Sequence, residues 1–271
     1  MPVSKLYVEG PLDQEVLNYI LNGSVAVQKV GGKYALQPVV LREREELPPA
    51  ERRNVCFLRD RDFDFRPAAN EPDAPTPMAT KSGELVGYRW RRHSMENYFL
   101  EPALAAMALK QEESQLRSLL VEGGKRLLDY ESARWTIGQA RMSVPPARQL
   151  ETRPETLEDE FELPDDVSRE ACWAWVEEAA AEFVSPIQEA MSAGKLRQGF
   201  EELRAMVSSL DVNGILVWLS GKDLMAFMAP RLGLVSPKIM RNEIRNWIQR
   251  NPDAALQFLP EWVELKRILT A

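Results

Sequence analysis

The chain has 271 residues, of which 45% are hydrophobic, and its formal net charge is −7. This composition supports a globular core, and the acidic balance argues against a protein that coats nucleic acid by bulk electrostatics, although an enzyme with a local basic groove is compatible with it. No apolar run approaches the roughly 20 residues of a membrane span, so we expect no membrane partner. The N-terminus lacks a signal-peptide core, and Cys56 and Cys172 lie far apart, which predicts a cytoplasmic protein without a structural disulfide.

The N-terminal part of the chain alternates between strand and helix patterns. Short runs rich in branched and aromatic residues predict strands, and apolar residues spaced three and four apart predict the helices between them. The order strand, helix, strand, helix, strand predicts an α/β fold with a parallel sheet and right-handed crossovers. The predicted strands are 5–9, 24–30 and 54–59, and the predicted helices are 12–21 and 33–47, the second displaced or kinked at Pro38.

The rest of the chain is predicted to be mainly helical. Residues 66–85 are rich in proline and predict a loop, and a strand follows at 84–90. Residues 103–210 have a helical pattern interrupted by a polar loop at 144–168, whereas the apolar run at 212–219 predicts a strand that returns to the sheet. We therefore predict an α/β core at 1–102, a helical insertion or second domain at 103–210, and a return strand with C-terminal helices at 211–271.

Acidic residues follow two of the predicted strands. Glu9 ends the first strand, Asp13 lies four residues later, and Asp60 and Asp62 follow the third strand. Ligands of parallel α/β sheets bind outside the carboxyl ends of the strands, and oxygen ligands without clustered cysteine or histidine select Mg²⁺ or Mn²⁺. Taken singly, these residues are explained as a solvated turn and an exposed helix start. Taken together, they predict a site for one or two divalent cations that act on a phosphodiester.

Four segments in this order resemble the Toprim nucleases of the OLD type, including the Toprim effector of the PARIS anti-phage system. The segments read "LYVEGPLDQEVL", "VQKVGGK", "VCFLRDRDFDF" and "RRHSMENYFLEP". The resemblance covers residues 5–100 and, more weakly, 212–230. It implies a Toprim-like parallel sheet with flanking helices, and a metal-dependent endonuclease that cuts tRNA or other RNA, with DNA as an alternative.

The resemblance also implies roles for individual residues. Glu9 matches the family glutamate, which is a metal ligand or general acid/base, and Lys222 in "SGKDL" resembles a late lysine that stabilises the transition state. The implied catalytic residues are Glu9, Asp60, Asp62 and Lys222, and the implied metal ligands are Glu9, Asp13, Asp60, Asp62 and Glu96.

Basic residues beside the predicted site suggest a surface for phosphate. The segment "YRWRRH" contributes Arg89, Arg91, Arg92 and His93, and Lys33 follows a glycine pair. Solvated arginines, a structural histidine and a solvated lysine are the competing interpretations. The basic run with Lys238, Arg241, Arg245 and Arg250 either grips nucleic acid or forms a solvent-facing helix side.

The sequence leaves two classes of function open. No Walker A motif is present, so the resemblance implies a nuclease that a separate ABC-type ATPase controls as part of anti-phage defence, and a homodimer is compatible with the apolar residues of the helical region. The alternative is a catalytically silent module that binds a protein partner. The complete acidic set favours the enzyme, because clustered carboxylates are costly unless a cation balances them.

Overall fold

The structure is a computed structural model, and it describes residues 2–68, 71–144, 166 and 168–271. The chain divides into two compact units, one formed by Met1–Glu131 with Met206–Ala271 and the other by Ser132–Ala205. The second unit covers fewer residues than the predicted 103–210 insertion, because residues 103–131 and 206–210 belong to the first unit. Most of the predicted 144–168 loop lies outside the described residues.

The first unit contains a five-stranded sheet, in agreement with the predicted α/β class. Its order is β2-β1-β3-β5-β4, with β1, β2, β3 and β5 parallel and β4 antiparallel at one edge. The strands are β1 (Lys5–Val8), β2 (Ala26–Lys29), β3 (Val55–Arg59), β4 (Thr76–Ala79) and β5 (Leu85–Arg89).

Helices account for most of the other regular structure among the described residues. The helices that precede the second unit are α1 (Pro11–Leu21), α2 (Lys33–Glu46), α3 (Met95–Phe99) and α4 (Pro102–Leu109). The next are α5 (Glu113–Met142), α6 (Arg169–Ala190), α7 (Ala193–Ser208) and α8 (Val212–Trp218). The last are α9 (Gly221–Arg231), α10 (Pro237–Arg250), α11 (Pro252–Phe258) and α12 (Pro260–Thr270).

The connections around β1 place helices on both faces of the sheet. The chain passes from β1 to β2 on one side and then from β2 past β1 to β3 on the other. Right-handed crossovers in opposite directions put α1 and α2 on opposite faces. On the α2 face, Leu36 and Val40 pack against the strand residues Tyr7, Phe57 and Val86.

Two elements differ from the sequence predictions. The predicted 66–85 loop contains the edge strand β4, whose Pro77 is tolerated because an edge strand pairs on one side only. The predicted return strand at 212–219 is wrong, because Val212–Trp218 form α8. Asp211 caps this helix by accepting a 2.8 Å hydrogen bond from the Gly214 backbone N–H. A short run of mainly apolar residues fits a buried strand and a buried helix equally well, and the Asp211 cap favours the helix.

Within the described residues, no helix combines the length and apolarity needed to cross a membrane.

Candidate metal centre

The candidate site lies at the carboxyl edge of the sheet, at the point where the order in which the strands are added reverses. The parallel strands β1 and β3 are neighbours, and the connections that follow them lead to opposite sides of the sheet, from β1 to β2 and from β3 towards β4 and β5. This switch point leaves a crevice at the strand ends, which is where α/β sheets bind ligands. Glu9 and Asp60, which follow β1 and β3, are therefore brought together at this crevice.

Glu9 and Asp60 are joined directly. The Glu9 carboxylate accepts a 3.0 Å hydrogen bond from the Asp60 backbone N–H. Burial, followed by the charge of Asp62, raises the pKa of Glu9 to about 7. The Asp60 Oδ1 atom is buried and has no hydrogen-bond partner. Burial raises the pKa of Asp60 well above its usual range, and four further carboxylates add to this effect, those of Asp13, Glu9, Asp62 and Glu96.

Asp13 enters the site from the first turn of α1. Its carboxylate accepts a 3.0 Å hydrogen bond from the Gly10 backbone N–H and thereby caps the helix. The side chain is buried, and burial together with the charge of Glu96 raises the pKa of Asp13 to about 6 despite the Gly10 hydrogen bond. Asp13 and Glu9 are therefore close enough for the charge of Asp13 to raise the pKa of Glu9, as their predicted co-location requires. Asp13 is buried, so the competing interpretation as an exposed helix residue is wrong.

Asp62 lies in a tight turn and is paired with a lysine. Its backbone is left-handed, with φ of 49°, and its N–H donates a 2.9 Å hydrogen bond to the His93 carbonyl. The Lys33 ammonium lies 2.8 Å from Asp62 Oδ2 and 2.6 Å from Asp64 Oδ2. Burial lowers the pKa of Lys33, but these two hydrogen bonds and charges outweigh it and raise the pKa overall. Lys33 is therefore an internal counter-ion of the cluster rather than a solvated lysine.

Glu96 closes the opposite side of the cluster. It is buried in the first turn of α3, and its Oε1 lies 3.8 Å from both the Lys222 Nζ and an Arg241 guanidinium nitrogen. Lys222 is 69% exposed, so its ammonium reaches the site from the solvent side. Sequence reasoning included Glu96 and Lys222, whereas it assigned Arg241 only to a general basic run.

A buried asparagine holds the Glu96 and Lys222 segments together. Asn97 Oδ1 accepts hydrogen bonds from the Ser94 N–H, the Ser94 hydroxyl and the Gly221 N–H, at 2.9–3.0 Å. Its Nδ2 donates a 2.8 Å hydrogen bond to the Leu219 carbonyl. Gly221 is required here because a Cβ atom would lie 2.6 Å from the Asn97 backbone nitrogen. The sequence signal for this contact was the Ser94-to-Asn97 spacing of a helix cap, but the partner turn is remote in sequence.

The arginines predicted to contact phosphate are held by carboxylates. Arg89 pairs with Glu71 at 2.9 Å, and Arg91 pairs with Asp73 at 2.8 Å. Arg92 pairs with Glu101. These ion pairs account for the positions of the three side chains without a nucleic-acid ligand.

His93 is buried, and its ring makes an edge contact with Phe63 at a centroid distance of 4.4 Å. This position agrees with the structural interpretation of the histidine rather than with a role in contacting phosphate.

The cluster suits a divalent cation in the chemistry of its donors. All of its side-chain ligands are carboxylates, which Mg²⁺ and Mn²⁺ prefer, and Asp60 Oδ1 is a buried acceptor without a donor. Among the residues that the structure describes, no three Asp, Glu, His or Cys side chains form a ready-made group that encloses an ion. Glu9, Asp13 and Asp62 each use one carboxylate oxygen for an internal donor. Glu96 Oε1 lies 3.8 Å from two cationic groups.

Comparison of the sequence with protein-family models and with curated proteins gave no match. The Toprim resemblance therefore rests on the four motifs and their order along the chain.

Proposed function

We propose that this protein is a Mg²⁺- or Mn²⁺-dependent hydrolase of phosphodiester bonds in nucleic acid, of the Toprim nuclease type. The observation that carries the proposal is the convergence of carboxylates from separate segments on Asp60. Glu9 and Asp60 follow neighbouring strands, Asp13 lies on α1 and Glu96 on α3, and their charges all raise the pKa of Asp60 or of one another. Such mutual repulsion is expensive to maintain and is relieved when a cation binds among the oxygens.

The residues divide into ligands and a group that faces the substrate. Glu9, Asp13, Asp60, Asp62 and Glu96 would hold the ion or ions. A bound divalent ion in such a site supplies Lewis-acid stabilisation and lowers the pKa of a coordinated water. Glu9 and Asp60 follow the paired strands β1 and β3 and are joined by a hydrogen bond, so the proposed chemistry would be attached directly to the sheet.

Lys222 supplies positive charge on the open side of the site. Its exposed ammonium stands at the start of α9, where the backbone N–H groups of the helix also favour negative charge. A scissile phosphate between the carboxylates and Lys222 would have its non-bridging oxygens stabilised as charge develops. Arg241 contributes a second positive group beside Glu96.

The substrate class and biological role follow from the motifs. On the resemblance to OLD-type Toprim nucleases we propose tRNA or other RNA as the first substrate to test and DNA as the second. The same resemblance suggests an anti-phage effector that a separate ABC-type ATPase controls.

Two structural observations favour the second candidate, a silent module that binds a protein partner. Among the described residues the carboxylates do not form a ready-made ion site, and Asp62 already has Lys33 as its counter-ion. In that case the acidic cluster is balanced internally and needs no metal. The two candidates differ in whether the purified chain binds Mn²⁺.

The deciding experiment is a cleavage assay with purified chain, total tRNA and plasmid DNA, in Mg²⁺, Mn²⁺ or EDTA. Asp60→Asn is the test variant, and Glu112→Gln, which removes one carboxylate charge at an exposed position, is the matched control. Metal-dependent cutting by the wild type and by Glu112→Gln, but not by Asp60→Asn, supports the proposal. If the wild type neither cuts nor binds Mn²⁺, the silent module is the better account.

A further inference from the structure

Lys33 places its positive charge against Asp62, one of the proposed metal ligands. Its side chain is only 14% exposed, and its ammonium bridges Asp62 and Asp64. Asp64 is also bound by Arg59 at 2.7 Å, so it keeps a partner if Lys33 leaves. Asp62 is 32% exposed, and Lys33 is the basic group that contacts its carboxylate in the described structure.

The turn before Lys33 places the backbone of this residue beside the site. Gly31 and Gly32 have φ of 84° and 148°, which are conformations that residues with a side chain rarely adopt. A Cβ atom at either glycine would meet nothing within 4 Å, so the glycines are needed for the backbone path and not for lack of space. The Gly31 N–H is bonded to the Glu9 carbonyl at 3.1 Å, which ties the turn to the end of β1. The turn therefore holds the Lys33 backbone beside the site, and the long side chain carries its ammonium to Asp62 and Asp64.

We infer that Lys33 is a built-in competitor of the metal, which holds Asp62 out of the ligand set until a divalent cation displaces the ammonium. This inference rests on the proposed function and adds to it a control of metal affinity. In the resting protein the Lys33 charge balances Asp62 and Asp64. Binding of an ion would leave Asp62 to serve as a ligand, and the displaced ammonium of Lys33 would be free to contact a phosphate in the same crevice. The opposite charges of Lys33 and Asp62 thus set a threshold of metal concentration for assembly of the site.

The test is Mn²⁺ binding, measured by calorimetry and by the electron paramagnetic resonance signal of free Mn²⁺. Lys33→Met removes the competing charge and keeps the length of the side chain, so we expect Mn²⁺ to bind roughly tenfold more tightly than to wild type. Lys81→Met is the matched control, because Lys81 is exposed in the turn between β4 and β5, at the opposite edge of the sheet. It loses the same charge and should leave the affinity unchanged.

A double-mutant cycle separates release of Asp62 from simple loss of a nearby charge. In an Asp62→Asn background, Lys33→Met should give little or no gain, because the ligand that it frees is absent. An equal or weaker affinity of Lys33→Met, or a gain that persists with Asp62→Asn, overturns the inference while leaving the proposed metal site intact. Absence of Mn²⁺ binding by every variant overturns both. Circular dichroism melting confirms that the variants compared are folded.

Discussion

Replacing Glu9 by glutamine should stabilise the metal-free protein at alkaline pH, although it removes a residue placed at the centre of the site. Glutamine has nearly the same shape and its oxygen can still accept the hydrogen bond from the Asp60 N–H. The ionised carboxylate of Glu9, by contrast, is opposed by burial and by Asp62, which raise its pKa from 4.5 to about 7.

The magnitude follows from that pKa. Each unit of pKa corresponds to about 1.4 kcal/mol, so ionised Glu9 costs the folded state up to roughly 3 kcal/mol, and about 2 kcal/mol once solvent screening is allowed for. The unfolded chain releases the proton near pH 4.5 and the folded chain near pH 7, so the penalty is absent below the lower value, grows between the two and is complete above the higher one. Glutamine does not ionise, so the Glu9→Gln variant does not have this penalty at any pH.

The assay is thermal unfolding of wild type and Glu9→Gln in EDTA, at pH 4 and at pH 8. We expect equal midpoints at pH 4 and a midpoint about 4–8 °C higher for Glu9→Gln at pH 8. Addition of Mn²⁺ at pH 8 should raise the wild-type midpoint more than that of the variant, because a bound ligand stabilises the folded state. A variant that is less stable than wild type at pH 8 would refute the electrostatic reasoning.

Three further predictions concern the surroundings of the site. If the proposed function is correct, Lys222→Met should lower the cleavage rate about 100-fold without changing the melting temperature, because the exposed side chain would stabilise charge on the proposed substrate. Gly221→Ala should destabilise the protein by about 2 kcal/mol in denaturant unfolding, because the new Cβ atom meets Asn97; unchanged stability would show that the contact is loose. Tyr98→Phe removes the hydrogen bond from the Tyr98 hydroxyl to buried Glu261, whose pKa burial raises to about 7. The Tyr98→Phe substitution should lower the free energy of unfolding by about 2 kcal/mol. The loss should be larger at pH 8 than at pH 5, which unfolding curves at the two pH values would test.

The sheet and its acidic edge could be predicted because they depend on local patterns. Strand runs ending at Glu9 and at Arg59 and the helical spacing between them are visible in the sequence, and the rule that parallel strands share a carboxyl edge then brings Glu9 and Asp60 together. The structure confirms this part of the prediction. The edge strand β4 was missed because it is only four residues long, includes a proline and lies in a proline-rich segment.

The environment of the basic residues could not be predicted in the same way. The segment with Arg89, Arg91 and Arg92 has the composition of a phosphate-binding surface, yet each of these arginines finds a carboxylate partner elsewhere in the chain. A partner at a sequence separation of nine residues or more is set by tertiary packing, and composition gives no information about it.

The sequence by itself determined the kind of fold and the carboxylate groups at its edge. The spacing of hydrophobic residues and the alternation of strands and helices along the chain specify parallel strands. The aspartate and glutamate residues after these strands specify carboxylate oxygens. Only the tertiary structure decided how these charges are balanced. The fold places Lys33 against Asp62, and α10 places Arg241 against Glu96. The physical reason is that charge–charge energies depend on distance and burial, which arise only when segments far apart in the chain are packed together.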